Sequence, residues 1–507
     1  MRRLTIAVAG TLLCCAPAGT PPSIVVSPAI TGPALEATPA GLALSRWLAA
    51  YNTGRPDSME AAIARLYAAP ALERRPASER AAGFRVWFRN YGSLTPIRVD
   101  SLTRSAAVAT VREGLTGGWG IIYLDVDSAA GHPITGVSLL PFTHPTSWCE
   151  LTVATEAALV AEVRGLADRL ARADAFSGVV LLTRGGRPLL REAFGLADRA
   201  TGRPNTADTR FELASVSKMF TAVAVLQQVE AGKLTLDAPI GSILPDLPAP
   251  AARVTVHQLL TMSSGIPDLF RSPRYWAERA SIRALSDYWR FFATAPLEFP
   301  PGTGWSYSNS GFLLLGSAVE RLAGVPFHDV IAQRVFAPAG MSSTSYRSGP
   351  AALRARGYTH LRPGSAPGAI PDPDRWYPSG EASDSGAGSP AGGGVSTADD
   401  LARLALAVME GRLLGPELTR RAMIGYMPTE YGGRDGYGLE TRSWNGVRIV
   451  GHGGGFTGVS NQVDFYPDLG YVLVVLGNSD ASGTEAIANR VRGILASSPS
   501  LSRRPAP

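Results

Sequence analysis

From Phe211 to Gly232 the chain runs Phe-Glu-Leu-Ala-Ser-Val-Ser-Lys-Met-Phe and on through Thr221 to Gln228, a helical pattern closed by a glycine. Met219, Phe220, Ala222, Val223, Val225, Leu226 and Val229 put apolar side chains on most sides of that helix. A helix of this kind is stable only when buried, so the fold must surround it. Lys218 enters the interior with it, and Ser215, three residues earlier, falls on a neighbouring position of the same face. The amine can then reach the hydroxyl.

Burial disfavours the charged ammonium and lowers its pKa, which is how a lysine comes to accept a proton from a serine near neutral pH. Lys218 and Lys233 are the only lysines in a chain whose other basic side chains of this kind are all arginine. An arginine at 218 could not deprotonate, so a base role accounts for the exception where an ion pair would not. Lys233 follows the helix end, where a cation suits the dipole.

The rest of the chain divides around this helix. Residues 1–18 carry Arg2 and Arg3, an apolar run from Leu4 to Leu13 and Ala16-Pro17-Ala18, the pattern of a secretory signal, which predicts an exported protein, periplasmic or secreted. Cys14 and Cys15 raise a lipoprotein as a second option, against which stands the bulky Leu13. Cleavage after Ala18 leaves Cys149 alone and excludes an intramolecular disulfide. Residues 19–38, rich in Pro, Ala, Gly, Ser and Thr, read as a linker. Over 39–146, helical stretches (42–51, 58–67, 77–91) precede strand-like ones (97–99, 106–111, 119–126, 134–140), as in a small α+β unit. That order resembles the NTF2-like cone fold.

A second domain spans 155–498, with a tail at 499–507. A helix over 155–173 leads to a hairpin, 178–183 and 188–194, about the turn Arg184-Gly185-Gly186-Arg187. Strand-like runs at 447–450, 459–466 and 471–476 precede a closing helix at 484–495, so sheet segments bracket a helical middle. Residues 350–394, dominated by Gly, Pro, Ser and Ala, form a long loop of the functional or mobile sort. The formal charge of +6 owes most of its excess to the two termini, and the scattered arginines lack aromatic interleaving, which excludes nucleic acid as a partner. No segment is long and apolar enough for a stable membrane span.

Two further motifs join Ser-x-x-Lys. Trp305-Ser306-Tyr307-Ser308-Asn309 holds a Tyr-x-Asn unit on a Gly/Pro-restrained loop, and Gly451-His452-Gly453-Gly454-Gly455 follows a strand. With Glu230–Leu234, Leu259–Pro267 and Ala391–Ser396, these motifs resemble the serine β-lactamase and penicillin-binding superfamily, in particular its class C β-lactamases, D-alanyl-D-alanine carboxypeptidases and esterases. The resemblance covers 155 to about 498 and implies an α/β fold of the transpeptidase type, an antiparallel sheet flanked by helices. It further implies that Ser215 is acylated, that Lys218 and Tyr307 share the proton handling, and that Asn309, His452 and Gly454 bind substrate. The backbone N–H groups of Ser215 and Gly455 would form the oxyanion hole.

His452 departs from the lysine usual in β-lactamases. A histidine is only partly charged near pH 7 and anchors a carboxylate less strongly, which favours peptide or ester hydrolysis over efficient β-lactam turnover. His132, His144, His257, His328 and His360 show no His-Glu-x-x-His or paired metal spacing, so no metal and no cofactor are expected. The expected function is an exported serine hydrolase working through an acyl-enzyme on an amide or ester of a small molecule or peptide. The other reading is a non-catalytic protein of the same fold that binds cell-wall peptides.

Overall fold

The computed structural model describes residues 34–129, 131–141, 151–346, 350–365, 369, 371–379, 388–430 and 432–502. The expected signal, Cys149, His144 and most of the linker and tail lie outside the described residues.

Regular structure is present a few residues ahead of where the composition places it. Leu35, in a short 3-10 turn, is 7% exposed and joins the first core. Thr38 then caps α1 (Pro39–Tyr51) by accepting from the Gly41 amide, with proline at the first helical position. Helices α2 (Pro56–Leu66), α3 (Ala69–Arg74) and α4 (Ala77–Tyr91) follow, and then an antiparallel meander of β1 (Leu94–Leu102), β2 (Ala106–Glu113), β3 (Trp119–Val126) and β4 (Ile134–Pro141). Trp47 is wholly buried, stacked on Tyr51 at 5.1 Å and edge-on to Phe84 at 5.0 Å. This unit meets the larger one through Arg85 with Asp374, Arg89 with His360 and the Pro373 carbonyl, and Arg490 donating to the Thr116 carbonyl at 2.8 Å.

In the larger unit, Thr155 caps α5 (Glu156–Arg172), and β5 (Gly178–Arg184) turns into β6 (Arg187–Phe194) through Gly185 and Gly186, both at positive φ as a tight hairpin demands. The distant strands β7 (Met427–Pro428), β8 (Arg434–Asp435), β9 (Glu440–Trp444), β10 (Val447–Phe456), β11 (Val459–Tyr466) and β12 (Tyr471–Gly477) complete one antiparallel sheet in the order β7-β8-β9-β10-β11-β12-β5-β6. The two ends of the domain close on each other where β12 pairs with β5, from Tyr471 opposite Arg184 to Gly477 opposite Gly178. Strand β10 is longer than its apolar run implies and contains the whole His452–Gly455 motif.

The sheet divides two cores. One face packs on α5 and the closing helix α9 (Gly483–Ser497), through Leu166, Leu170, Val180, Leu473, Ile487 and Val491. The other packs on the helical middle, through Val179, Leu181, Val450, Val463, Val474 and Leu476. There α6 (Lys218–Glu230) packs on α7 (Asn309–Ala323), on the short helix Phe327–Ile331 and on the turn 332–336, while α8 (Ala398–Met409) packs on β12 and β5. The all-round apolar helix is thus buried as its composition requires.

One expectation is corrected at its start. The helix does not begin near Phe211: Phe211–Glu212 pairs with Val395–Ser396 as a two-residue ladder, Ala214–Ser217 forms a 3-10 turn, and α6 starts at Lys218. The cause is Ala214, whose φ of 46° no α-helix admits.

Candidate active site

Ser215 sits on that 3-10 turn, where residues three apart eclipse, so Lys218 stands over it. The strained turn is held from outside. Leu213 donates to the Gly394 carbonyl at 3.0 Å, Gly393 donates to the Ala214 carbonyl at 3.1 Å, and the Ser217 hydroxyl bonds the Gly393 carbonyl. Strand β10 presses on the other side: a Cβ at Gly454 would lie 2.3 Å from the Leu213 carbonyl oxygen. Glycine there lets the strand reach the turn that carries Ser215, so Gly454 faces packing rather than open cleft. At Gly455 a Cβ would meet nothing within 4 Å, and the residue borders the cleft with Ser215.

Lys218 is wholly buried. Its Nζ donates to Asn309 Oδ1 at 2.7 Å, to the Ala391 carbonyl at 2.5 Å and to Ser215 Oγ at 3.1 Å. Burial lowers its pKa to about 7, against the smaller opposing pull of Asp268 and Asp435. Two of the three neighbours can only accept. When the amine is neutral its two hydrogens go to them, and its lone pair is left facing the Ser215 hydroxyl.

Tyr307 comes from the loop before α7 and brings its ring centroid to 4.8 Å from Nζ. Its phenol bonds with Ser215, yet burial, together with Glu440, Asp435 and Asp268, pushes its pKa well above the usual tyrosine value. The two shifts run in opposite directions, toward a neutral amine at Lys218 and a protonated phenol at Tyr307.

Asn309 opens α7 behind its cap Ser308, whose Oγ accepts from the Gly311 amide at 3.3 Å. Asp268 holds it, accepting from the Asn309 backbone at 2.6 Å and from Nδ2 at 2.8 Å. Sequence reasoning missed Asp268, although it directly follows the Leu259–Pro267 motif. It also missed Asp435, which is buried, accepts from Trp305 Nε1 at 2.5 Å and has its pKa raised to about 7, chiefly by burial.

His452 joins this cluster but does not present a cation. It is 3% exposed, its Nδ1 lies 2.5 Å from the Gly453 carbonyl and must carry the proton, and burial holds its pKa below the ordinary histidine value. Burial thus favours the neutral ring.

Residues 163–497 match the family model described as Beta-lactamase. The chain is 37% identical over 214 residues to Esterase EstB of Burkholderia gladioli, covering 38% of this chain and 53% of the esterase, about half its length. It is 28% identical over 334 residues to a D-aminopeptidase of Cereibacter sphaeroides, covering 63% of this chain and 60% of that one. Among solved structures, a penicillin binding protein from Bacillus halodurans superposes with a TM-score of 0.56 at 31% identity, over 68% of this chain and 100% of that chain. With its sheet and a family match over most of its length, the chain belongs to the Beta-lactamase family.

Proposed function

We propose that the protein is an exported acyl-transfer hydrolase in which Ser215 is the nucleophile, Lys218 its base and Tyr307 the group that passes the proton to the leaving group. The observation that carries this reading is Lys218: buried, with its pKa near 7 and its two acceptors aiming the lone pair at a hydroxyl 3.1 Å away. Ser215 Oγ attacks the carbonyl carbon and loses its proton to Lys218. Tyr307 protonates the departing oxygen or nitrogen and is reprotonated from Lys218, and water then releases the acid from Ser215. Backbone N–H groups of Ser215 and Gly455 receive the developing oxyanion. Asn309 orients both the lysine and the substrate.

Ester hydrolysis fits better than removal of a C-terminal D-alanine, because the neutral, buried His452 offers no charge to a free carboxylate. Relatives named as an esterase and a D-aminopeptidase support both ester and amide chemistry on this fold. Export rests on the Arg2-Arg3 start and the apolar run that follows. The test is covalent labelling by a fluorophosphonate with peptide mapping. Label on Ser215, lost together with ester hydrolysis in Ser215→Ala and Lys218→Ala, is the expected result. Unchanged hydrolysis in either variant refutes the assignment.

A further inference from the structure

Beside Ser215 opens a cleft of about 90 Å³, walled by Leu269, Phe270, Tyr275, Ile282, Leu313 and Phe456. Two elements tie this apolar wall to the polar site. Leu313 follows Asn309 by one turn of α7 and so continues the same helix face, and Leu269 follows Asp268, which holds Asn309. Leu269 and Leu313 are each only 2% exposed. At the mouth the aromatic groups come to the surface: Phe270 is 38% exposed and Trp276 42%, their rings 5.5 Å apart, and Phe456 closes the far side 6.3 Å from Phe270. Clustered exposed aromatic rings around a concave apolar space mark a place that binds apolar matter.

The charge of the lining limits what can enter. The described residues that border the cleft include no carboxylate, so none of them offers a substrate ammonium a counter-ion. The one cation among these described residues, Arg279, lies 4.8 Å over the exposed ring of Trp276. A charged group carried into the depth would lose its water without a partner.

Orientation follows from the proton path. The leaving group must lie over Tyr307, which gives it a proton, and Tyr307 does not border the cleft whereas Ser215 and Asn309 do. The cleft therefore takes the other half of the substrate, the part that stays on Ser215. Resting on the acyl-enzyme reading above, we infer that the enzyme's preferred substrates are esters whose acyl group is neutral, bulky and apolar, of the arylpropanoyl or branched alkanoyl kind. The ester's C–O bond breaks, the acyl carbon bonds to Ser215 Oγ, the alcohol leaves with the proton supplied through Tyr307, and hydrolysis returns the carboxylic acid and the free serine.

The test compares four methyl esters with the full chain in a pH-stat: acetate, 3-phenylpropanoate, D-phenylalaninate and monomethyl glutarate. An added methylene in a matched apolar pocket changes specificity by about tenfold or more. The expected kcat/KM for 3-phenylpropanoate exceeds each of the other three at least tenfold, and Ile282→Trp, which fills the cleft, cuts its advantage over acetate at least tenfold. Equal rates for acetate overturn the proposal, as does a preference for the ammonium-bearing or the carboxylate-bearing ester. Ser215→Ala separates the two levels: if it hydrolyses these esters like the wild type, the acyl-enzyme reading itself is wrong, whereas Ser215-dependent rates that ignore the acyl group sink only the specificity.

Discussion

Asp268 grips Asn309 by both its backbone and its side-chain nitrogen, at 2.6 and 2.8 Å, and so turns the amide oxygen toward Lys218, 2.7 Å away. A carboxylate can only accept, so it decides which end of the amide faces the lysine. Asp268 is thus a positioning residue, acting on Lys218 through Asn309.

Replacing it tests that role in two readouts. Asp268→Asn leaves the amide free to flip and present N–H groups to Lys218, and kcat falls on the order of 10- to 100-fold, within the span expected of acid–base contributions. The same change removes a negative charge that favours the ammonium, so the acidic limb of the pH profile moves to lower pH. A loss of activity with an unmoved limb speaks for a merely structural residue.

Stability should carry the signature of a lysine buried neutral. Its folded pKa of about 7 lies below the unfolded value of about 10.4, so between these the unfolded chain binds more protons and stability rises with pH. Relative to Lys218→Met, the wild type gains on the order of 1 kcal/mol per unit between about pH 7.5 and 9.5. Asp435 and Glu113, raised to about 7 by burial, act in the opposite sense but below that window. Denaturant unfolding of both proteins at several pH values reads the difference directly, and a flat difference rules out the neutral lysine.

Glycines 454 and 455 should answer differently to alanine. At 454 the new Cβ meets the Leu213 carbonyl and the Val216 backbone, so strand β10 must back away from the nucleophile turn. We expect a loss of about 1–3 kcal/mol, together with most of the activity. At 455 the Cβ has open space, and the melting temperature stays within a degree or two of wild type. Thermal melts of the pair decide whether the close approach is real.

Arg492 on α9 donates to Asp464 on β11 at 2.6 and 2.9 Å, both side chains almost wholly buried. Arg492→Ala strands a buried carboxylate and costs about 3–5 kcal/mol. The double variant with Asp464→Ala recovers part of that loss, which a two-by-two unfolding cycle measures.

Much of this could be read from the chain itself. An isolated lysine in an arginine-rich protein, set in a helix with no polar face, pointed to the core that buries it. Tyr307 and Asn309 were found by their motif on a restrained loop. Asp268 was not, because an aspartate after Gly-Ile-Pro looks like any turn residue until Asn309 is seen packed against it. Nor does apolar patterning show that β12 pairs with β5, since periodicity tells which face is buried and not which strand lies alongside. Ala214 was missed for a related reason: its positive φ is imposed by Gly393, Gly394 and Gly454 from remote parts of the chain.

The pH dependence of acylation bears most directly on the central claim. In stopped-flow bursts of p-nitrophenol from an activated ester, the acylation rate should rise with pH through a single ionisation near 7, reach a plateau by about pH 8.5, and vanish in Lys218→Ala. A rate that stays level from pH 5 to 9, or that begins to climb only near pH 10, would show that an uncharged Lys218 is not what takes the proton from Ser215.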